Sequence, residues 1–363
     1  MKPLVPQHGG QLGAIAQRFG LHAADLLDFS ASINPDGPPA SVLRALRAAV
    51  EEAATLTQYP DLEELRLKAA LAHYAGTVAE TIFVANGFAP LLDAVLRTLK
   101  LRECLLPVPC FSEYRRTLER HGVQVSPHVL EPQRDFRYDV DALLHGSHDA
   151  ILLANPQNPS GVLCERAELL GLVERAAARG VYVLLDEAFI DYQRNASLLS
   201  VIDRFRNLVV FRSVTKCFGV PGLRVAYAAA AAPMRQRFEA NLAPWPISTL
   251  ASRGIMAAVE DLDFAEAIAP NNRMRREQLV RELKVLDLAV CPAAANFLLL
   301  RLPPERDAGH LWQRMIIEHR IVMRSCENFE GMPPGHLRVA VRNGGDNHLF
   351  GSALGALLET GSW

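Results

Sequence analysis

Residues 213–224, Ser213-Val-Thr-Lys216-Cys-Phe-Gly-Val-Pro-Gly-Leu-Arg224, decide the fold because they place one lysine among side chains that suit a phosphate. A hydroxyl lies three residues before Lys216, an arginine lies eight residues after it, and a Pro-Gly turn lies between them. The preceding run 207–211 predicts a short buried strand, so Lys216 lies just beyond a strand end, where open α/β sheets bind ligands. There a lysine can form a Schiff base with a carbonyl cofactor if its surroundings favour the neutral amine.

The sequence around this stretch, residues 80–230, alternates short apolar runs with helical patterns. One helix is predicted for residues 165–179, where apolar residues recur at helical spacing. The alternation predicts parallel strands joined by helical crossovers, which is typical of an α/β fold. The predicted strands are Cys104–Val108, Ala150–Ala154, Val181–Leu185, Leu208–Phe211 and Val225–Ala229.

Two further regions differ from this α/β segment. The first forty residues are rich in Gly, Pro and polar residues, which predicts an extended arm. After about residue 260, two helical patterns flank two short strands, which predicts a smaller α+β domain. We expect an arm at 1–40 that reaches the active site and the small domain, a large cofactor-binding domain at 41–260, and a small domain at 261–363.

Composition excludes several classes of protein. The chain has 363 residues, is 50% hydrophobic and carries a formal net charge of −2, with acids and bases interspersed, so neither a nucleic-acid nor a membrane surface is expected. No secretory signal is visible, and no apolar run is long enough to cross a bilayer. The six cysteines include no C-x-x-C pair, which argues against structural zinc and a disulfide framework. We expect a soluble cytoplasmic protein with no metal site.

Polar side chains follow two neighbouring strands of the predicted sheet. Asp186 ends a strongly apolar strand, where a carboxylate can pair with a protonated pyridine nitrogen and make the ring a better electron sink. A helix cap or turn is the ordinary role for such an aspartate. Asn158 lies in the Pro-rich turn 155–161 after another strand and could donate its amide to a phenolate oxygen. The spacing of thirty residues from Asp186 to Lys216 suits two neighbouring strand ends.

A phosphate site is predicted at the start of the helical pattern that follows Gly87 and Phe88. Free peptide N–H groups at a helix start bind phosphate well, and Ser213 and Arg224 would add a hydroxyl and a charge. Phe111 follows a strand and could stack on a planar ring, although an ordinary core aromatic is equally consistent with the pattern.

The C-terminal region holds arginines on or beside apolar strands. Arg338 is a candidate fork for a substrate carboxylate, and Arg324 is a candidate for a second anionic group. Arginines in such positions are costly unless they meet anions, so an internal salt bridge is the alternative for each.

With these residues in view, the chain resembles the fold-type I pyridoxal-phosphate enzymes of the aspartate aminotransferase superfamily over essentially its whole length. That resemblance implies a large domain with a mostly parallel central sheet flanked by helices, a small α+β C-terminal domain, and pyridoxal 5'-phosphate as cofactor. The segments that carry the resemblance are Asn86-Gly87, Asn155-Pro-Gln-Asn-Pro-Ser-Gly161, Asp186-Glu-Ala-Phe189, Ser213-Val-Thr-Lys216 and Pro221-Gly-Leu-Arg224.

The resemblance also implies a role for each matching residue. Lys216 would bond covalently to the cofactor, and Asp186 would pair with its ring nitrogen. Tyr59 matches a tyrosine that reaches the cofactor phosphate from the partner subunit of a homodimer, and Arg338 matches the arginine that binds the substrate α-carboxylate. The other cofactor contacts would come from Asn158 at the ring oxygen, Phe111 on the ring face, and Gly87, Phe88, Ser213 and Arg224 at the phosphate.

Two branches of the superfamily are candidates: the histidinol-phosphate aminotransferases and the L-threonine-O-3-phosphate decarboxylases of cobalamin synthesis. The arm sequence around His8, Phe189 where the aminotransferases usually carry a tyrosine, and the segment 324–342 resemble the decarboxylases. Two features depart from their pattern. Ser32 replaces an asparagine of the arm, and Phe88-Ala-Pro90 replaces a segment that usually carries a glutamate.

The decarboxylase resemblance implies that the chain converts L-threonine O-3-phosphate into (R)-1-amino-2-propanol O-2-phosphate for the cobalamin nucleotide loop. His8, Arg324 and Arg342 are the candidates for the substrate phosphate, although His8 could equally be a solvated terminal histidine. Two alternatives stay open. One is a histidinol-phosphate-type aminotransferase, and the other is a low-turnover partner of the amide-forming cobalamin synthase.

Overall fold

The computed structural model describes residues 6–359, in which thirteen strands form three sheets. The strands are β1 (Leu27–Asp28), β2 (Ile82–Ala85), β3 (Glu103–Val108), β4 (Gln124–Val129), β5 (Ala150–Ala154), β6 (Tyr182–Asp186), β7 (Leu208–Arg212), β8 (Ala226–Ala230), β9 (Ala289–Val290), β10 (Phe297–Arg301), β11 (Ile321–Val322), β12 (Arg324–Ser325) and β13 (His336–Ala340).

The described residues also form twelve α-helices, which cover the sheets and connect their strands. They are α1 (Leu12–Phe19), α2 (Ala40–Glu51), α3 (Ala53–Thr57), α4 (Leu65–Ala75), α5 (Phe88–Leu99), α6 (Ser112–Arg120), α7 (Arg166–Ala178), α8 (Ala232–Glu239), α9 (Thr249–Val259), α10 (Leu262–Val285), α11 (Ala308–His319) and α12 (Gly344–Glu359).

The largest sheet has seven strands in the order β2-β8-β7-β6-β5-β3-β4. The pairs from β7 to β4 are parallel, which confirms the predicted α/β fold with a mostly parallel sheet. β8 is an exception, because it pairs antiparallel with both β7 and β2. The chain returns from β7 to β8 through a loop with no crossover α-helix, and a return without a crossover reverses the strand direction.

This topology gathers the polar segments at one edge of the sheet. Strands β3, β5, β6 and β7 are parallel, so their carboxyl ends at Val108, Ala154, Asp186 and Arg212 lie at the same edge. These strands are buried on both faces, as their unbroken apolar runs require. The loops that follow them therefore meet where α/β folds bind ligands.

The C-terminal residues form a second core around β10 and β13, which pair antiparallel. The N-terminal segment contributes to this core, because β1 pairs parallel with β11 and Phe29 stacks on Phe350 at 4.8 Å. The prediction of an extended arm is wrong for α1, whose apolar residues Leu12, Ile15 and Ala16 recur at helical spacing and pack into the same core. Of the predicted segments 1–40 and 261–363, residues 1–5 and 360–363 lie outside the described residues.

Within residues 6–359, no helix combines the length and the apolar character that a bilayer crossing requires. All six cysteines lie in this part of the chain and are free thiols.

Candidate active site

A cavity of about 430 Å³ opens at the edge of the large sheet where the polar loops meet, and residues of the arm and of the C-terminal sheet complete its wall. The structure brings most of the predicted site residues together there. Those that line the cavity are His8, Gly87, Phe88, Phe111, Asn158, Asp186, Ser213, Lys216, Arg224, Arg324 and Arg338.

Asp186 lies at the end of β6 and is buried. Its Oδ1 accepts a hydrogen bond from the peptide N–H of Ala188 at 2.9 Å, and its Oδ2 accepts one from the hydroxyl of Tyr114 at 2.5 Å. Burial raises the pKa of the Asp186 carboxyl, while these two bonds and the charge of Lys216 oppose the rise. The carboxylate keeps free lone pairs for a further N–H donor that enters the cavity.

Lys216 follows β7 by four residues and is half-buried, with its side chain in the cavity wall. Burial lowers its pKa, and the positive charges of Arg224 and Arg338 lower it further, against the opposing effect of Asp186. The surroundings therefore favour the neutral amine, which is the nucleophilic form that the sequence argument required.

The start of α5 and the side chain of Arg224 form a pocket for an anion. Gly87 has φ 94° and ψ 178°, and a Cβ at this position would lie 2.7 Å from Nη2 of Arg224. The N–H of Gly87 is already bound to Ala85, so the donors left at the helix start are those of Phe88 and Ala89. Gly87 thus leaves space for the guanidinium of Arg224 in the pocket and does not itself provide a hydrogen bond.

Two hydroxyls complete this anion pocket. Oγ of Ser213 lies 2.9 Å from Oγ1 of Thr215, and both residues line the cavity. Because one hydroxyl donates to the other, the pair keeps one O–H that can donate to an anion in the cavity. Thr215 was missed by the sequence argument although it lies inside the quoted stretch.

Asn158 lies in a loop whose side chains fix its path. Asn155 bonds through both amide atoms to the backbone of Cys164, at 2.8 and 3.1 Å. Gln157 donates to the carbonyl of Pro109 at 2.6 Å and accepts from the N–H of Ser160 at 2.7 Å. The loop is therefore anchored on both sides of Asn158, which lines the cavity.

Arg324 and Arg338 are Cα partners across the antiparallel strands β12 and β13, and both are buried. Neither forms an ion pair with a carboxylate in the part of the chain that the structure describes. Arg324 donates instead to the carbonyls of Ser325 and Gln7 and to Oδ1 of Asn328. Burial and the charge of Arg338 lower the pKa of Arg324 to about 10. Among residues 6–359 neither arginine thus forms the internal salt bridge considered as the alternative, and two buried cations line the cavity.

The arm reaches the cavity through His8 and Ser32. Nε2 of His8 lies 3.1 Å from the Glu113 carboxylate, and its ring lies 5.8 Å from the Phe111 ring. Ser32 is buried in the cavity wall, and its Oγ has no hydrogen-bond partner among residues 6–359. The serine that departs from the expected arm sequence thus leaves an unpaired hydroxyl at the site.

Two predicted residues lie outside this cavity. Tyr59 is 81% exposed and stacks on Trp245 at 4.8 Å. Arg342 follows the end of β13, and its guanidinium bonds to the carboxylate of Asp346 and to the carbonyl of Asp28. Because Arg342 is occupied by these partners, we do not include it in the substrate site.

The most informative residue that the sequence argument missed is Tyr114, which is 1% exposed and bonded to Asp186. Tyr114 lies three residues after Phe111, the residue that precedes α6, so the spacing indicated that the two rings share one face. Asp186, the partner of the Tyr114 hydroxyl, lies 72 residues away in sequence.

The cavity fits pyridoxal 5'-phosphate by the chemistry of its walls. A buried carboxylate suits the ring nitrogen, the amine of Lys216 suits the aldehyde, and the anion pocket beside Gly87 suits the phosphate. Phe111 provides an aromatic face, and Asn158 provides an amide for the ring oxygen.

Comparison with known proteins agrees with this geometry. The chain is 33% identical over 358 residues to the threonine-phosphate decarboxylase of Salmonella typhimurium, covering 96% of this chain and 95% of that protein. It is 29% identical over 350 residues to an adenosylcobalamin biosynthesis bifunctional protein of Leptospira interrogans, of which it spans only 40%. Among solved structures, the histidinol-phosphate aminotransferase of Clostridium acetobutylicum matches with a TM-score of 0.85 at 25% identity, over 92% of this chain and all of that one.

The family comparison extends over most of the chain. The model described as "Aminotransferase class I and II" matches residues 24–357, which include the sheet edge, the lysine loop and both strands that carry the buried arginines. The chain therefore belongs to the class I and II aminotransferase family.

Proposed function

We propose that this protein is a pyridoxal-phosphate-dependent decarboxylase of L-threonine O-3-phosphate. The observation that carries the proposal is the buried pair Arg324 and Arg338, two cations without carboxylate partners in the described part of the chain, side by side at the cavity. Buried arginines without counter-ions are costly, so a substrate with two anionic groups would offset that cost. Threonine phosphate carries a carboxylate and a phosphate on a small frame.

The arm supports assigning the phosphate to the Arg324 side. His8, Asn328 and the unpaired hydroxyl of Ser32 lie in the same cavity wall as Arg324, and all of them can contribute hydrogen bonds to phosphate oxygens. The guanidinium of Arg338 lies within hydrogen-bond distance of Asn158, so a carboxylate bound there would lie beside the cofactor ring. The 33% identity to a threonine-phosphate decarboxylase supports the same assignment.

Pyridoxal 5'-phosphate supplies an aldehyde that condenses with the substrate amine and a ring that accepts the electron pair left when carbon dioxide departs. The protein residues prepare for this chemistry. Burial and the charges of Arg224 and Arg338 lower the pKa of Lys216, which favours its neutral amine. Asp186 would accept an N–H from the ring nitrogen and stabilise the positive charge there. Arg338 and Arg324 hold the two ends of the substrate and so fix which bond at Cα is broken. Once Nζ of Lys216 has taken a proton from the incoming substrate ammonium, it can return that proton to Cα.

We also propose that the protein is a homodimer in which Tyr59 enters the partner's cavity. Within one chain Tyr59 is exposed and lies outside the cavity, although its phenol is suited to a phosphate. Leu56, Leu62 and Leu65, on the same segment, are each more than half exposed. Apolar side chains concentrated on one segment are typical of a buried subunit interface. A cytoplasmic location is part of this proposal and agrees with six free thiols.

The experiment is an incubation of purified protein and cofactor with threonine phosphate, with and without 2-oxoglutarate. We expect carbon dioxide release that does not depend on the amino acceptor, together with amino-propanol phosphate in equal amount. The variant Arg324→Lys tests the assignment of the phosphate. It keeps the positive charge and loses the planar fork, so it should bind threonine phosphate less tightly.

Two results would favour the alternatives. Glutamate formation from 2-oxoglutarate with histidinol phosphate would identify an aminotransferase, which the structural likeness to the Clostridium enzyme makes the second candidate. Cofactor binding with slight turnover on either substrate, but with capture of the amide-forming cobalamin synthase, would identify a partner protein instead.

A further inference from the structure

The hydroxyl of Tyr114 donates a hydrogen bond to the Asp186 carboxylate at the edge of the large sheet. The distance from Oη to Oδ2 is 2.5 Å, and both residues are buried. Tyr114 lies in the first turn of α6, and its ring packs against Phe88 at 5.4 Å and Phe111 at 5.5 Å. The phenyl ring is therefore held by packing, while the hydroxyl is held by the carboxylate.

Packing alone does not explain this hydroxyl. Tyr192 and Tyr227 are also buried in the large core, and their hydroxyls have no partner among residues 6–359. A phenylalanine at 114 would fill the same space as the tyrosine ring. The hydroxyl of Tyr114 thus differs from those of Tyr192 and Tyr227, because it contacts the carboxylate of Asp186.

From this geometry we propose that Tyr114 is a positioning residue, which keeps Asp186 in one orientation and in its ionised form at the site for the ring nitrogen. The proposal rests on the cofactor assignment made above but not on the choice between decarboxylation and transamination. Together with the N–H of Ala188, the hydroxyl occupies one lone pair on each oxygen, so the carboxylate cannot rotate without losing both bonds.

The electrostatics agree with this role. Burial raises the pKa of Asp186, which alone would favour the neutral acid, and the Tyr114 bond lowers it again. Burial and the nearby Asp186 charge raise the pKa of Tyr114 well above its usual value, so its hydroxyl keeps its proton and remains a donor at neutral pH. The Tyr114 bond thus favours the charged carboxylate against the effect of burial.

The experiment measures the ring nitrogen directly by NMR of ¹⁵N-labelled cofactor bound to the wild type, Tyr114→Phe and Tyr138→Phe. Tyr138 is a matched control, because it is also packed in the core and donates to a backbone carbonyl, that of Ala154, at 2.7 Å. In Tyr114→Phe we expect the pKa of the ring nitrogen to fall by about one to two units, which is the effect of losing one hydrogen bond to a charged group. Tyr138→Phe should titrate as the wild type does.

A double-mutant cycle separates positioning from a merely structural effect. Tyr114→Phe should weaken cofactor binding about tenfold in the wild type and have no further effect on Asp186→Asn. If Tyr114→Phe folds poorly, the NMR signal of the Tyr114 hydroxyl carbon in otherwise wild-type protein gives a second measurement, since it should shift in Asp186→Asn.

The outcomes distinguish this proposal from the proposed function. An unchanged ring-nitrogen pKa in Tyr114→Phe, or an equal loss of cofactor affinity in both backgrounds, would overturn the role of Tyr114 and leave the function standing. Wild-type protein that binds no pyridoxal phosphate would overturn both.

Discussion

Nη1 of Arg338 donates a hydrogen bond to Oδ1 of Asn158 over 2.6 Å, between residues 180 positions apart in sequence. The bond joins β13 of the C-terminal sheet to the loop that follows β5. It uses the amide oxygen of Asn158, so the amide NH₂ group is left to donate into the cavity. Nη2 of the same guanidinium donates to the carbonyl of Ser30, which connects the arm to the same point. One arginine thus holds together Asn158, which we propose for the cofactor ring oxygen, and the arm at Ser30.

Arg338→Lys tests this coupling, because lysine keeps the charge but cannot donate to both partners in fixed geometry. We expect KM for threonine phosphate to rise about 10- to 100-fold, from the loss of charge-assisted hydrogen bonds. We also expect kcat to fall, since Asn158 loses the bond that orients it. Steady-state kinetics check both values. Arg342→Lys is the control and should stay within about twofold in KM, because Arg342 lies outside the cavity. A rise in KM with unchanged kcat would disprove the link to Asn158.

Gly87→Ala tests the anion pocket. The added Cβ would lie 2.7 Å from Nη2 of Arg224, and the backbone at φ 94° is one that alanine rarely adopts. We expect a loss of about 1–3 kcal/mol in the free energy of unfolding and at least a tenfold weaker affinity for pyridoxal phosphate. Thermal unfolding and cofactor titration measure the two effects.

Gly222→Ala is the matched control for that substitution. Gly222 lies two residues before Arg224, its φ is not positive, and a Cβ there would meet no atom within 4 Å. The change should alter stability by no more than about 0.5 kcal/mol and leave cofactor affinity unchanged. If both alanine variants bound the cofactor equally well, the pocket beside Gly87 would not be the phosphate site.

Lys216 makes the uptake of cofactor depend on pH. Its pKa in the folded protein lies below the ordinary 10.5, because of burial and the charges of Arg224 and Arg338. The amine reacts only when neutral, so the rate at which apoprotein combines with pyridoxal phosphate should rise with pH and level off before pH 10.5. Stopped-flow absorbance in buffers without primary amines would give the midpoint.

The lowered pKa of Lys216 also makes the free energy of unfolding depend on pH. Between the folded pKa of Lys216 and 10.5, the unfolded chain binds more protons than the folded one, so the contribution of this lysine to stability increases as pH rises through that window.

Arg338→Gln removes one of the positive charges near Lys216 and should therefore move the pH midpoint of cofactor uptake upward. A midpoint at or above 10.5 in the wild type would contradict the role of these charges.

Much of the site could be predicted because strand ends and turns have local signals. The apolar runs before Asp186 and Lys216 fixed two neighbouring strands, and the rules of parallel sheets brought their ends together. The direction of β8 could not be predicted in this way, since it depends on the path of the loop 213–225. Helix α1 had a helical period that the Gly- and Pro-rich composition of the arm obscured.

The remaining differences concern contacts between distant residues. Arg338 and Arg342 are alike in sequence, but only Arg338 lies within β13, while Arg342 follows its end and turns toward Asp346. Tyr114 could be assigned to a helix face, but no local pattern indicates that its hydroxyl meets Asp186. Such pairs depend on how loops from separate strands pack, which periodicity does not encode.

The proposed dimer predicts that two inactive variants restore each other's activity. Tyr59→Ala should lose cofactor phosphate contacts made in the partner's cavity, and Lys216→Ala should lose the reactive amine in its own. In a mixed dimer, one cavity combines an intact Lys216 with a tyrosine from the other subunit, and the second cavity lacks both. After equal amounts are unfolded and refolded together, random pairing should give about one quarter of the wild-type activity, since half of the dimers carry one intact cavity out of two. Trp245→Phe, which keeps an aromatic partner for Tyr59, serves as a control that should be active alone. Activity that stays at the sum of the two separate variants would show that Tyr59 does not act across subunits.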